Sequence, residues 1–486
     1  MKVDPLFIRF HLLIKHIIKL RLSFFQKLTQ LNIIFKDNVF LKVKRIAFLF
    51  SFLLPLHLLA TPSSEDTFLR DAEIEDVLKS YITPLFEAAH LNPASLHLYI
   101  INSPEVNAFA MLGGRIAINA GLLLKATSAL QVIGVLAHET AHIADGHIIR
   151  GVDAYEKAIL QGLLGTIGGV AAGLAGSPEA AIAILLGSQD MAEKGLLKFS
   201  RTQESSADQG AARYLDKLGF SSRGLLEFMT ILHKEDPLLE QSLDPYTLTH
   251  PLHSERIDFF RTHLTRSPHA ESTLPPHFEK NFKRIQIKIA AFTQNPNKTL
   301  AQFKAEDTSL LARYGRAIAY SQNSQLDESL HEINSLLQEF PQDAFFWDLK
   351  GQVLFESGNI KESTKAYEHA GKLRPDIPLL RVNWAQALSE SGDAANLEKA
   401  FSELLRAKTE EQDNPFTYRL LAIYYGKKEK TGLAALSLAE MSLQIGDLKT
   451  AEQQANRALH FLKDDPSNHS HAKDILQEVK RLKELQ

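Results

Sequence analysis

A mainly α (α+β) chain is what the sequence predicts, with a first domain that combines long helices with a small sheet and a second region built of helical repeats. Three observations carry this reading. The stretch from about Gly121 to Ile149 has helical apolar spacing and contains His138-Glu139-Thr140-Ala141-His142. Arg115 to Asn119 reads as a strand. Beyond Pro341, turn and small residues recur every 34 residues.

Residues 1–60 read as an N-terminal extension ending in a secretory signal. Lys42, Lys44 and Arg45 lead into Ile46 to Ala60, fifteen mostly apolar residues, after which Thr61-Pro62-Ser63-Ser64-Glu65 turns polar. That order is the one a signal peptide has, and cleavage is expected after Ala60. An uncleaved anchor is the alternative; the span is short of the roughly twenty residues a membrane helix needs. Residues 1–40, rich in Ile, Leu, Phe and Lys, read either as a misassigned translation start or as a basic amphipathic segment lying on a membrane surface. The absence of cysteine suits an oxidising compartment, and a net charge of −3 argues against a polyanionic partner and excludes a nucleic-acid footprint.

Residues 61–275 read as the catalytic domain. On a helix, residues four apart stand one above the other, so His138 and His142 point at one spot. Neutral imidazole is a good zinc ligand, and the carboxylate of Glu139 beside it can take a proton from an activated water. Ala129, Leu130, Val132, Ile133, Val135, Leu136 and Ala137 make the N-terminal half of this helix apolar, so the pair sits at the end of a buried helix, where His and Glu are costly unless paired or metal-bound. A third His seated six beyond the second would extend the motif on the same helix, but positions 145 and 148 are Asp and Ile. His147 lies about 140° further round the helix than His142 and reads as a supporting or surface residue.

The other route to a third ligand is a carboxylate on a separate helix. Phe199 to Asp208 offers Glu204 and Asp208, again four apart, on a helix running to about Leu218. Glu204 is positioned to bind zinc and Asp208 to accept a hydrogen bond from a ligand imidazole, fixing its tautomer. Between His142 and Glu204 lies the apolar run 158–187, with Gly165, Gly169 and Gly173 recurring at four. Its Gly and Ala content, and the need for Glu204 to return to the His pair, favour a helical hairpin that touches a membrane surface or an unfolded client over a bilayer-inserted one. A further element is Leu248-Thr249-His250-Pro251-Leu252-His253-Ser254-Glu255-Arg256-Ile257.

Pro275-Pro276 marks a boundary, followed by a connecting helix over 276–300 and repeats over 301–486. Gly358-Asn359, Gly392-Asp393 and Gly426-Lys427 recur every 34 residues, as do Pro341 and Pro375. That is the period of tetratricopeptide repeats, whose helix pairs stack into a solenoid with a concave binding face. Gly446-Asp447 falls out of phase, so the array is expected to be irregular between about Ala394 and Leu443. Trp347 and Trp384 are expected to pack within it.

The three separated segments, with Arg70 to Glu75, Asn107-Ala108-Phe109 and Ile118 to Leu122, resemble in order and spacing the peptidase family that includes the CAAX prenyl protease and HtpX, and most closely its secreted, tetratricopeptide-bearing branch. The resemblance covers most of residues 68–260. It implies a gluzincin-like metalloprotease domain with a small sheet, followed by a TPR α-solenoid. It also implies one zinc ion per chain, bound by His138, His142 and Glu204, with Glu139 as catalytic base and His250 near the metal as an extra ligand or a helper. The developing oxyanion needs a further donor, for which His250 or Arg256 would serve, and a substrate could pair with the edge of the 115–119 strand. The expected function is a periplasmic zinc endopeptidase. Its implied clients are unfolded or stalled envelope and outer-membrane proteins, and its implied docking partner is the β-barrel assembly machinery. The alternatives are a chaperone or assembly scaffold with repressed proteolysis, and an inner-membrane-anchored protease facing the periplasm.

Overall fold

The computed structural model describes residues 68–111, 113–148, 201–235, 250, 252 and 254–484. The N-terminal extension with its signal reading and the apolar run 158–187 lie outside these residues. Among the described residues no helix is long and apolar enough to cross a membrane. They divide into two compact units, one ending at Leu380 and the other beginning at Arg381.

The first unit opens with a four-stranded sheet of β1 (Phe68–Leu69), β2 (His97–Ile101), β3 (Ala108–Met111) and β4 (Arg115–Asn119), in the order β1-β2-β4-β3. β2 and β4 run parallel, in register from His97 against Arg115 to Ile101 against Asn119, while the outer pairs are antiparallel. From Ile116 to Asn119 every residue of β4 is buried, as befits a strand with a neighbour on each side. The expectation that a substrate pairs with β4 is therefore corrected: both of its edges are taken, and β3 is the outer strand beside the pocket.

A helix over Ala72–Ala88 is capped by Asp71, whose side chain accepts from the main-chain N–H of Glu73 and Ile74. Its Ile74, Leu78, Ile82, Leu85 and Phe86 are fully buried and pack it against the helix that carries the His pair. The expected single helix from 121 to 149 is two helices, Ala120–Lys125 and Ala129–Ala144. They part because Ser128 turns extended and accepts a hydrogen bond from the N–H of Gln131, capping the second. That helix stops at Asp145, and Gly146, at φ +64°, takes the left-handed turn that a side chain disfavours.

Residues 201–217 are helical and cross the motif helix closely. A Cβ added at Gly210 would stand 2.7 Å from the Cβ of Ala141, so glycine there lets Glu204 approach the His pair. The helix Arg223–Glu235 covers the motif helix from another side, and Ser254–Leu264 brings Arg256 inward.

The connecting helix Pro276–Thr293 leads to helix pairs Leu310–Gln322 with Leu326–Glu339 and Ala344–Glu356 with Ile360–Leu373. A buried charge network joins these to the helix Ala72–Ala88. Lys288, 1% exposed, places Nζ 2.7 Å from Asp71 and 3.2 Å from Glu73. Arg284 binds Glu73 at 2.5 Å and Asp343 at 2.5 and 2.9 Å, and Tyr314 donates its hydroxyl to Glu73. Burial alone would drive the Lys288 ammonium towards neutrality; Asp71, with Glu73 and Asp348, outweighs it and holds the pKa well above the ordinary value.

The second unit holds Ala394–Glu410, Pro415–Lys427, Thr431–Gln444, Leu448–Phe461 and Pro466–Glu484, with Pro378–Glu390 running across the division. The expected irregularity has a simple form. The helices starting at Leu310, Ala344 and Pro378 are 34 residues apart, and the 17-residue helix Ala394–Glu410 delays the next start to Pro415. Gly358 and Gly392 are left-handed turn residues, but Gly426 lies inside a helix and Glu429, at φ +58°, makes the corresponding turn.

Candidate metal centre

Three helices and one loop residue converge on a small buried pocket. His138 and His142 come from the end of the motif helix, Glu204 and Asp208 from the helix over 201–217, and Arg256 from Ser254–Leu264, with His250 ahead of it. Four of these residues, His138, His142, Glu204 and His250, each offer a ligand atom, and all four atoms lie within 4.8 Å of one another. The pocket is buried: His138 and Glu139 are 0% exposed, and the others at most 6%.

The donor atoms lie close together. His138 Nε2 is 3.0 Å from His142 Nε2, 3.3 Å from His250 Nδ1 and 3.2 Å from Glu204 Oε2; Glu204 Oε1 is 3.2 Å from both His142 Nε2 and His250 Nδ1. Contacts of about 3.2 Å are what neighbouring donors show when each lies roughly 2.0 Å from a shared ion, the bond length of zinc to imidazole or carboxylate. The chemistry of the set, three imidazoles and one carboxylate, fits a divalent transition ion equally well.

Each donor is held from behind. His138 Nδ1 lies 3.0 Å from Asp208 Oδ1, and Arg256 binds both oxygens of Asp208, Nε to Oδ2 at 2.7 Å and Nη2 to Oδ1 at 2.8 Å. Its Nη1 lies 2.7 Å from Glu204 Oε2. The guanidinium thus faces two carboxylates, with the main-chain oxygen of His250 and His138 Nε2 each 3.5 Å away, which suits it to holding them more than to an oxyanion. Glu139 accepts the main-chain N–H of Ala110 on β3 at 2.9 Å, and its other oxygen is 3.4 Å from His250 Nε2. His147, which the helix wheel had turned away, is 5% exposed, with Nδ1 3.1 Å from His142 Nδ1. Ala110 had no signal in the sequence, because its contribution is a backbone group.

The charges settle accordingly. For His138, burial lowers the pKa, but Glu204 and Asp208 overcome it and raise the group to about 9. For His142, burial dominates and the pKa falls, helped by the charge on His138. Burial raises the pKa of Glu204, yet Arg256, His250 and His138 pull it well below the usual carboxylate range, and Asp208 is lowered in the same way by Arg256 and His138. Both carboxylates are therefore ionised at neutral pH and His138 holds a proton.

The model of peptidase family M48 matches residues 69–263, and that of the cytochrome c-type biogenesis protein H TPR domain matches residues 323–450. The chain is similar to the beta-barrel assembly-enhancing protease of Escherichia coli (strain K12), 24% identical over 409 residues that cover 78% of this chain and 82% of that protein. The protein of the same description from Yersinia pestis is 23% identical with coverage of 78% and 83%. A putative one from Vibrio cholerae is 25% identical over 370 residues, covering 75% and 73%.

Proposed function

We propose, from the match of residues 69–263 to the model of peptidase family M48 and of residues 323–450 to that of a TPR domain, that the chain is a zinc-dependent endopeptidase of the cell envelope. The observation that carries the zinc assignment is the gathering of His138, His142, Glu204 and His250, all buried, with one ligand atom from each within 4.8 Å of the others. Bound there, zinc supplies a Lewis acid that activates water and polarises a carbonyl. Glu139, dry and acceptor-only when ionised, takes a proton on one carboxylate oxygen and returns it to the departing amine. Of the two expected donors to a developing oxyanion, His250 has Nε2 beside Glu139 but offers Nδ1 to the metal, so it could serve only after leaving that position, and Arg256 keeps Asp208 and Glu204 aligned.

Substrate would add to β3, the outer strand next to Glu139, by backbone hydrogen bonds that read little of the side chains. Selection then falls to the repeats. The similarity to beta-barrel assembly-enhancing proteases supports clients among outer-membrane proteins during assembly, unfolded or stalled, with the β-barrel assembly machinery as a docking partner and the periplasm as the location. One observation favours a second reading, an assembly scaffold with repressed proteolysis: His250 stands where a catalytic zinc site keeps its fourth position open.

Purified protein given one equivalent of zinc is expected to cleave casein or itself, and its Glu139→Gln variant is not. Equal cleavage by both would remove the peptidase assignment. Rescue of a deletion strain by Glu139→Gln would favour the scaffold.

A further inference from the structure

We propose that His147 is a positioning residue of this centre, setting the ring of His142 and tying it to the helix that carries Glu204. The proposal rests on the metal-binding reading above and adds four residues to it: Asp145, His147, Gln203 and Ser206.

The two ligand imidazoles are held by different chemistry. His142 turns Nε2 towards the other donors, so its Nδ1 needs a partner elsewhere. That partner is His147 Nδ1 at 3.1 Å, with the rings edge to face at 72° and their centroids 5.0 Å apart. Two facing ring nitrogens share one proton. With the Nε2 lone pair of His142 kept for a metal, its Nδ1 carries the hydrogen and donates, and His147 accepts through Nδ1. The hydrogen of His147 is then on Nε2, which faces Asp145 Oδ2 at 3.8 Å. A single arrangement of hydrogens satisfies the contact between the two rings, and it turns the His147 Nε2–H towards a carboxylate, which at 3.8 Å acts through its charge and not through a hydrogen bond.

That line also crosses to the other ligand helix. Ser206 donates its hydroxyl to Asp145 Oδ2 at 2.6 Å, and Gln203 donates Nε2–H to the main-chain oxygen of His147 at 3.1 Å. These two residues flank Glu204. The left-handed turn at Gly146 makes this geometry available, since an unbroken helix would carry residue 147 about 140° away from residue 142. The clasp therefore fixes at once the ring that binds and the register of the carboxylate that binds with it.

The test is zinc affinity of the full chain, read by competition with a chromogenic chelator, together with the visible spectrum of the cobalt(II) form. His147→Phe keeps a ring but cannot accept, and is expected to lower zinc affinity roughly 10- to 100-fold and shift the cobalt bands. His147→Asn places an amide oxygen near the position of Nδ1 and should recover most of the affinity and the wild-type spectrum. Ser206→Ala, on the opposite helix, should lose affinity in the same direction. Wild-type affinity and spectrum in His147→Phe would overturn the proposal, and so would equal losses in His147→Phe and His147→Asn, which would make the residue a space-filler. Failure of the wild-type chain itself to take up zinc would overturn the metal-binding reading beneath it.

Discussion

Asp208 binds the imidazole of His138 with one oxygen, 3.0 Å from Nδ1, while both of its oxygens are gripped by Arg256. A carboxylate so clamped cannot turn away from the ring, so it fixes the His138 tautomer that leaves Nε2 free to bind.

Replacing Asp208 with Ala should therefore weaken metal binding by roughly 10- to 100-fold, the usual effect of losing a ligand's supporting partner. It also leaves the buried Arg256 with Glu204 as its neighbour. Chelator competition on the purified variant checks this, and unchanged affinity would contradict it.

Metal uptake should depend on pH over an unusual window. The His138 pKa is raised from 6.5 to about 9 in the folded chain. The bound proton therefore stabilises the metal-free fold fully below 6.5, and that stabilisation is lost as pH rises through about 9. A metal must displace the proton, so apparent zinc affinity should go on rising up to about 9 rather than level off near the ordinary histidine value. Competition titrations across this range would show the difference.

Gly210→Val should damage the site from a distance. Its side chain would press on Ala141, which a Cβ at 210 meets at 2.7 Å, at a cost of about 1–3 kcal/mol and with loss of metal binding as the helices part. Adding Ala141→Gly should restore both. No rescue in the double variant would mean that the close crossing is not what positions Glu204.

His250→Ala removes one of four donors and opens the position it fills. Zinc should bind more weakly while cleavage of an unfolded substrate rises, since a hydrolytic site needs a vacant position. A fall in turnover with zinc saturating would instead mark His250 as a transition-state donor.

Much of the centre was legible because its information is local. Pairs four apart on helices, His138 with His142 and Glu204 with Asp208, advertise a shared face, and the helix ends bring those faces together. What stayed hidden depends on turns or on strand order. Ser128 and Gly146 cut one apparent helix into a shorter one, and the second cut is what returns His147 to His142. Residues 115–119 read as a strand, yet only the pairing of β2 and β3 on its two sides reveals that it is central. The repeat period was visible from glycines, but at Glu429 a charged residue takes the left-handed turn that Gly426 was expected to make.

Glu73 touches Arg284, Lys288 and Tyr314, and it sits in the first turn of the helix that packs against the His-bearing one. A chain stopped at residue 300 would keep the whole reactive pocket yet lose Tyr314 and Asp343, opening to water a seam in which Glu73, Arg284 and Lys288 are otherwise covered. The early repeats are thus no detachable handle: they share buried charges with the helix that packs against the imidazole-bearing one.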